Sequence, residues 1–443
     1  MKFGGIISSR GFVSLDWLRG IAAWSVAIPH FFMFSGYDAA ILEFLSIYAV
    51  EVFFILSGFV LGKQLDLVFE NREYHTLKIF YLRRWMRTLP IYFAVLLLFS
   101  TVNQTLFDGT FFQYLVFLVT FVEVPASGEY FVPVWSLAVE EWFYLLFPIL
   151  LIAVARVGKD RGFAIAITAI VFLVAKLLYI DAGQVAGDEF RRVTVLRLDS
   201  IAFGYLTYLL CKDGVERFEP HQRYLVPAVL LLTGLTFSAY FTGYTLAFVY
   251  LSPISASVTV ILFRLAEPKA EGSGASRRIS AFLAHTSYAA YLSHMLIFQI
   301  VQGGEGYFGL FGTFFIYLFS TLIFVVLSYY IIEKPFLAAR PSYSGRAGGA
   351  WTTPSSPNRR FQESRTAWVA GNLIICAVLA ISCEFIARGV VFLYQSSYVA
   401  ARISETAADT DAQAKSTVGM SLAFIRDHNE WEASEGSPYR YSS

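Results

Sequence analysis

The chain has 443 residues, 56% of them hydrophobic, 17% aromatic and 15% charged, with a formal net charge of +1. Soluble domains carry about a quarter charged residues, whereas here apolar stretches of about 20 residues recur along the chain. These features exclude a soluble globular enzyme, a disordered chain and a nucleic-acid-binding domain, and predict a polytopic α-helical membrane protein.

Candidate spans fall at 14–36, 44–62, 88–101, 135–156, 163–180, 195–211, 224–241, 246–265, 280–302, 309–333 and 367–393. Residues 111–122 are too short to span comfortably and read as a re-entrant or interfacial helix. With the N-terminus in the cytoplasm, 23 Lys and Arg residues fall in inside segments and two, Arg191 and Arg192, in outside loops. That asymmetry fits the positive-inside rule. Counting 111–122 as a span would place the Arg-rich stretch 334–366 outside. The first span follows Lys2 and Arg10 but lacks a small-residue cleavage site, so it reads as uncleaved. The predicted organisation is a membrane bundle at 1–335, a flexible Pro/Ser/Gly/Arg-rich cytoplasmic linker at 336–366, an eleventh transmembrane helix at 367–393, and an extracytoplasmic polar tail at 394–443. The tail is a place where a partner protein could dock. Cys211, Cys376 and Cys383 have no metal-ligand spacing, so neither a metal site nor a disulfide framework is predicted.

Ionisable residues inside spans are costly and are functional candidates by default. In the first span, LDWLRGIAAWSVAIPHFF, Arg19 lies near the cytoplasmic end and His30 in the outer third. Eleven residues at about 100° each return them to nearly one face, roughly 16 Å apart along the axis. Pro29 frees the carbonyl of Ser25 and predicts a kink beside the histidine. Glu51 in the second span, Glu140 and Glu141 in the fourth, Asp199 in the sixth and His294 in the ninth count to a similar depth. Such a layer has two readings. One is a set of structural ion pairs between helices, for example Arg197 with Asp199 or a glutamate. The other is a water-lined cavity opening outward, which five helices carrying polar groups at one depth favour.

A second cluster lies at the cytoplasmic face. FYLRRWMRTLPIYF places Arg83, Arg84 and Arg87 at the start of the third span, with Arg84 and Arg87 sharing a face. Arg19, Asp16 and Glu333 fall on the same side. Three arginines at a helix start oppose its dipole. They are either positive-inside anchors or a site for a phosphorylated ligand, whose oxygens suit guanidinium forks. A basic mouth about 16 Å from a histidine–carboxylate layer suits a donor shaped like coenzyme A, with phosphates at one end, a thin arm and an acyl thioester at the tip. A histidine beside a carboxylate suits a general base for a hydroxyl proton. Ser57, in ILSGFVLG, is a candidate for a covalent route, although Ser-Gly-Phe in a helix more often marks a packing or kink site.

Seven motifs in order then carry a resemblance over about residues 12–340: LDWLRGIAA with Arg19 and His30, VEVFFILSGF, FYLRRWMRTLP, WSLAVEEWFYLLFP, RLDSIAFG, SYAAYLSH and EKPF. The chain resembles the integral-membrane acyltransferase-3 family, whose members O-acylate extracytoplasmic polysaccharides, lipopolysaccharide and related acceptors. The resemblance implies an all-α, ten-helix transmembrane core, here followed by an eleventh helix, in a bacterial inner membrane. It implies acyl-CoA, by family frequency acetyl-CoA, as the cytoplasmic donor and a saccharide hydroxyl as the acceptor. Arg19 and His30 fall on the family's Arg-x10-His pair, Arg84 and Arg87 on its Arg-x-x-Arg element, and Glu140 on the glutamate of its Trp-Ser-Leu-x-Val-Glu motif. Glu51 stands where an aspartate is frequent, and Trp142 where a glutamine is common. The expected site is therefore His30 as base with Arg19, Glu140 and Glu51, donor binding by Arg84, Arg87 and Arg83, and acceptor contacts from Glu141, Asp199 and His294. The tail of about 50 residues is too short for the secreted esterase-like domain that some members add.

Two other readings compete. In a proton-coupled transporter the polar layer would be a relay, but the matching broken helices of internal repeats are missing. In a scaffold or sensor without catalysis, the intact Arg19/His30 pair would have no purpose.

Overall fold

The computed structural model describes residues 12–37, 39–124, 130–181, 187–267, 274–341 and 343. Among these residues there is no strand, and the architecture is an all-α polytopic membrane bundle. Its long helices are α1 (Val13–Phe34), α2 (Ala40–Asn71), α3 (Tyr74–Val102), α5 (Val134–Arg156), α6 (Arg161–Asp181), α8 (Leu198–Cys211, entered through a 3-10 turn at Thr194–Leu196), α9 (Gln222–Phe241), α10 (Thr245–Leu265), α11 (Gly274–Val301) and α12 (Glu305–Ser328). Shorter pieces are α4 (Gly109–Leu115), α7 (Gly187–Arg192) and α13 (Lys334–Ala339). The ten long helices coincide one for one with the first ten candidate spans. The eleventh span, the tail and the linker beyond residue 343 lie outside the described residues. By length and composition, eight helical stretches can cross a membrane, and one of these, Gly274–Ala339, contains both α11 and α12. The polar residues of α1, Arg19 and His30 among them, keep it off that count. Below, the near face is the side on which α1 begins, and the far face is the other.

Helix α2 is the central post, packed against α1, α5, α8 and α10. In lipid, helices associate through close backbone approach rather than apolar burial, so small residues mark their contacts. Gly58 of α2 and Gly204 of α8 form such a contact: a Cβ on Gly58 would strike the Ile201 carbonyl, and one on Gly204 the Ile55 carbonyl. The motifs ILSGF and IAFG are thus two halves of one crossing. Helix α1 packs on α11 in the same way, with Gly20 against Leu283. Outward, Phe311, Phe315, Phe319 and Ile323 recur every fourth residue as an exposed apolar stripe on α12, as a lipid-facing surface requires.

The N-terminus of α1 is held by Glu267 beyond α10. Its carboxylate accepts hydrogen bonds from the Val13 N–H (2.6 Å), the Ser14 N–H (3.0 Å) and the Ser14 hydroxyl. A carboxylate is the favoured partner for the exposed N–H groups of a first turn.

The stretch 109–124 does not cross the bundle. Helix α4 is only two turns, with Asp108 accepting from the Phe111 N–H at its start. The Tyr92 hydroxyl donates to the Tyr114 carbonyl at 2.6 Å, and the Trp142 indole N–H to the Phe117 carbonyl at 3.1 Å. Tyr92 and Trp142 lie ten and eight residues inside the far ends of α3 and α5, so the segment dips about 12–15 Å into the bundle before returning. Irregular backbone is tolerated at that depth only where its polar groups are paired. The Thr194 and Val195 N–H groups complete the pairing by donating to the Thr120 and Phe121 carbonyls.

Candidate functional site

A cavity of about 70 Å³ lies between α1, α2, α3, α5 and α11. Helix periodicity aims the polar residues into it. On α3, Arg84, Arg87 and Thr88 are spaced at i, i+3 and i+4; on α5, Ser136, Glu140 and Tyr144 at i, i+4 and i+8; on α11, Tyr288 and Tyr291 at i and i+3. Helix α1 contributes Arg19, and α2 contributes Ser57 with an apolar wall of Val50, Phe53 and Phe54.

Glu140 is held on both oxygens: Ser57 Oγ donates to one at 2.7 Å and the Tyr144 hydroxyl to the other at 2.7 Å. The same Tyr144 ring stacks under the Arg84 guanidinium at 4.9 Å. Arg19 stands 4.0 Å from Asp16 at the near face. Among the described residues, no carboxylate forms an ion pair with Arg84 or Arg87, and Arg84 Nε is buried without a hydrogen-bond partner. Three guanidinium groups against one lining carboxylate leave an excess of positive charge that suits an anionic ligand.

His30 lies toward the far side of this cavity and pairs with His294. Their rings stack at 5.2 Å, with His30 Nδ1 2.9 Å from His294 Nε2. His294 Nδ1 sits 2.6 Å from the Tyr291 carbonyl. A carbonyl only accepts, so His294 Nδ1 carries a proton and, in the neutral ring, Nε2 is a lone pair. His30 Nδ1–H must then donate to it, which leaves His30 Nε2 as a bare lone pair. The chain of bonds thereby fixes the tautomer a general base needs. Tyr291 also lines the cavity, and its hydroxyl is 2.6 Å from Ser136 Oγ. The cavity and the histidine pair thus share a wall.

The expected site residues separate into groups. Arg19, Arg84, Arg87 and Glu140 come together around the cavity, and His30 and His294 meet beside it. The partner of His30 is His294, not a carboxylate: Glu140 is engaged by Ser57 and Tyr144, and Glu51 forms a buried ion pair with Arg197. Asp199 pairs with Lys176 at 2.5 Å, also fully buried. Glu51 and Asp199 thus belong to a charge-balanced quartet of two buried ion pairs between α2, α6 and α8, not to the cavity lining. Glu141, about 100° around α5 from Glu140, accepts from Thr88 Oγ1 of the cavity wall at 2.7 Å and lines an apolar groove with Trp142 and Phe117. Arg83, one residue before Arg84, turns away and donates to the Pro341 carbonyl at 2.5 Å. Glu333 is buried at a π-turn, Tyr329–Glu333, that leads into α13.

Sequence reasoning missed Lys176, Tyr144, Tyr291 and Ser136. The signal for one of them was present: Tyr291 stands three residues from both Tyr288 and His294 in SYAAYLSH, on one side of α11. Among the described residues, no group of three or more His, Cys, Asp or Glu side chains is placed to hold a metal ion.

The family model described as "Acyltransferase domain", of the acyltransferase-3 type, matches residues 12–333. A protein of Staphylococcus aureus strain COL, provisionally named an O-acetyltransferase, is 24% identical over 375 residues, covering 74% of this chain and 59% of that protein. A Bacillus subtilis protein provisionally named peptidoglycan O-acetyltransferase YrhL is 25% identical over 354 residues, covering 72% of this chain and 54% of that protein. An uncharacterised Haemophilus influenzae protein is 26% identical over 141 residues, covering 28% of this chain and 57% of its own length. The chain spans less than two thirds of the length of these relatives. No solved structure matches it.

Proposed function

The chain belongs to the acyltransferase-3 family, and from that premise we propose that it is a membrane O-acyltransferase that moves an acetyl group from acetyl-CoA to a hydroxyl of an envelope glycan. The near face is the cytoplasmic face of a bacterial inner membrane, and the acceptor arrives from the far face. The observation that carries this reading is the His30–His294–Tyr291 chain, which leaves His30 Nε2 unprotonated beside a cavity lined by Arg19, Arg84 and Arg87. The names of the relatives support acetyl as the group transferred and an envelope glycan as the acceptor.

The arginines hold the donor phosphates at the near side, and the thioester lies along the cavity toward Tyr291. At about 70 Å³ the cavity is smaller than the roughly 300 Å³ of a small-molecule site, so donor binding must widen it. His30 Nε2 takes the acceptor hydroxyl proton as the oxygen attacks the thioester carbonyl. A C–O bond forms and the C–S bond breaks. The imidazolium then returns its proton to the departing thiolate, and His294 spreads the positive charge meanwhile. Glu140, fixed by Ser57 and Tyr144, is the lining carboxylate that shares the cavity with the arginines.

The test is mass spectrometry of envelope glycans from cells lacking the gene, complemented with wild type or with His30→Ala. Wild type is expected to restore an acyl group, and His30→Ala to lose it by about 10²-fold or more while reaching the membrane at wild-type level. Full restoration by His30→Ala would overturn the mechanism. Identical glycans in all strains, with no acyl-CoA turnover in vesicles, would favour proton-coupled transport instead.

A further inference from the structure

Beyond residue 333, where the family match ends, the described residues 334–341 and 343 stay on the bundle. Helix α13 packs against α3, and the residues after it form a strap across that helix at Arg83, its tenth residue, so the arginines lie well inside α3 and not at its start as the sequence suggested. Two hydrogen bonds tie it reciprocally: Arg83 Nη1 donates to the Pro341 carbonyl at 2.5 Å, and Arg340 Nη1 to the Arg83 carbonyl at 3.4 Å. The Tyr343 ring lies 5.4 Å from the Arg83 guanidinium.

The strap therefore adds positive charge to a place that already repels it. Among the described residues, no carboxylate forms an ion pair with Arg83, Arg84, Arg87 or Arg340. The acceptors that Arg83 and Arg340 do have are neutral carbonyls. Arg83 Nε, Arg84 Nε, Arg340 Nε and the Tyr343 hydroxyl are all buried with no partner. Burial, with Arg83 and Arg84 alongside, pushes the Arg340 pKa down to about 10, and burial pushes Tyr343 up to about 12. Both remain donors at neutral pH. A positive-inside anchor would spread such charges into water, whereas four unpaired donors drawn together under a strap need a shared acceptor.

We propose that Arg340, with Arg83, Arg84 and Tyr343, forms a phosphate-ester subsite at the near-face mouth of the cavity, and that it takes the 3′-phosphate of the donor's nucleotide end. This rests on the acyl-CoA reading above and adds to it. Arg19 and Arg87 line the cavity itself, so they meet the pyrophosphate nearer the thioester; Arg84, which also lines it, borders both sites. The Arg83–Arg340 pair lies outside the lining and meets the part of the donor furthest from the reacting carbonyl. A phosphate dianion would replace the Pro341 carbonyl on Arg83 and neutralise charges that now oppose one another.

The full-length chain in phosphatidylcholine nanodiscs is titrated calorimetrically with CoA and with 3′-dephospho-CoA. Wild type is expected to bind CoA about tenfold more tightly, the worth of one charge-assisted contact. Arg340→Ala is expected to bind both compounds as wild type binds dephospho-CoA. That unchanged dephospho-CoA affinity also shows that the variant is folded. An unaltered CoA preference in Arg340→Ala would overturn the subsite. If that preference is unaltered while native mass spectrometry shows Arg340→Ala losing bound phosphatidylglycerol, the same donors hold a lipid headgroup and the donor assignment is overturned. A wild type that binds neither compound overturns the acyl-CoA reading itself, an outcome separate from either of these.

Discussion

Two groups of charged side chains lie inside this bundle, and they are built on opposite rules. In the quartet between α2, α6 and α8, each cation has an anion: Arg197 with Glu51, and Lys176 with Asp199. Aromatic rings complete the enclosure, with Phe54 at 6.0 Å from Arg197 and Tyr250 at 4.7 Å from Lys176. Around the cavity the cations are in excess, and the single lining carboxylate, Glu140, is engaged by hydroxyls. A closed set of charges neutralises itself and ties helices together. An excess of cations over carboxylates is what an anionic ligand would answer. Location in a membrane span therefore does not by itself mark an ionisable residue as a site candidate; the balance of charge around it is the better guide.

The sharpest way to break this contrast is to unbalance the quartet. Lys176→Met leaves Asp199 buried without a counter-ion, which should lower stability by about 3–5 kcal/mol. The readout is thermal unfolding of the solubilised protein, together with membrane yield. Lys176→Met combined with Asp199→Leu removes both charges, and should recover most of the stability and the acyl transfer. If the double variant is stable but inactive, Asp199 acts on the acceptor and the quartet is not merely a fastener.

The open cluster should respond with the opposite sign. Arg84→Ala or Arg87→Ala removes one of several cations that repel each other, so the melting temperature should hold or rise slightly. Donor binding should suffer, with the apparent KM for acetyl-CoA rising about tenfold as a charge-assisted hydrogen bond of about 1.5 kcal/mol or more is lost. The value of kcat should change far less, because these groups grip the donor equally before and during reaction. A KM that stays at the wild-type value in both variants would remove the phosphate role.

The sequence made the ten helices legible because each is an unbroken apolar run, and depth along a helix follows from counting residues. Depth placed His294 at the level of His30, and the two rings do meet. What counting cannot supply is azimuth between helices. Glu51 and Asp199 share the depth of the histidines but face the quartet. Ion pairing of Arg197 with a glutamate was one of the two open readings of that layer, and it describes Glu51. Lys176 went unassigned because nothing in FLVAKLLYI identifies its partner on another helix. Arg83 was grouped with Arg84 by proximity in sequence, yet about 100° of helical rotation turns it to the strap. Trp142, standing where a glutamine is common, has its own role: its indole N–H holds the Phe117 carbonyl of the re-entrant segment. That bond follows from the dip of residues 109–124, which the short apolar stretch 111–122 suggests but whose partners no local periodicity reveals.

The smallest expected effect separates two chemistries at Ser57. Its hydroxyl lines the cavity and donates to Glu140, a geometry that would also suit a serine activated by a carboxylate. If Ser57 only steadies Glu140, Ser57→Ala leaves the Tyr144 hydrogen bond in place and removes one contact worth about 1 kcal/mol. Transfer should then fall about fivefold, with no acyl group on the protein at any point in turnover. If Ser57 carries the acyl group, the alanine variant should lose activity as completely as His30→Ala, and wild type quenched during turnover should show the added acyl mass on the peptide containing Ser57. The closed face of Ser57 supports the first outcome: Gly58, the next residue, is locked against the α8 backbone, so this turn of α2 has little freedom to bring an acylated serine toward His30.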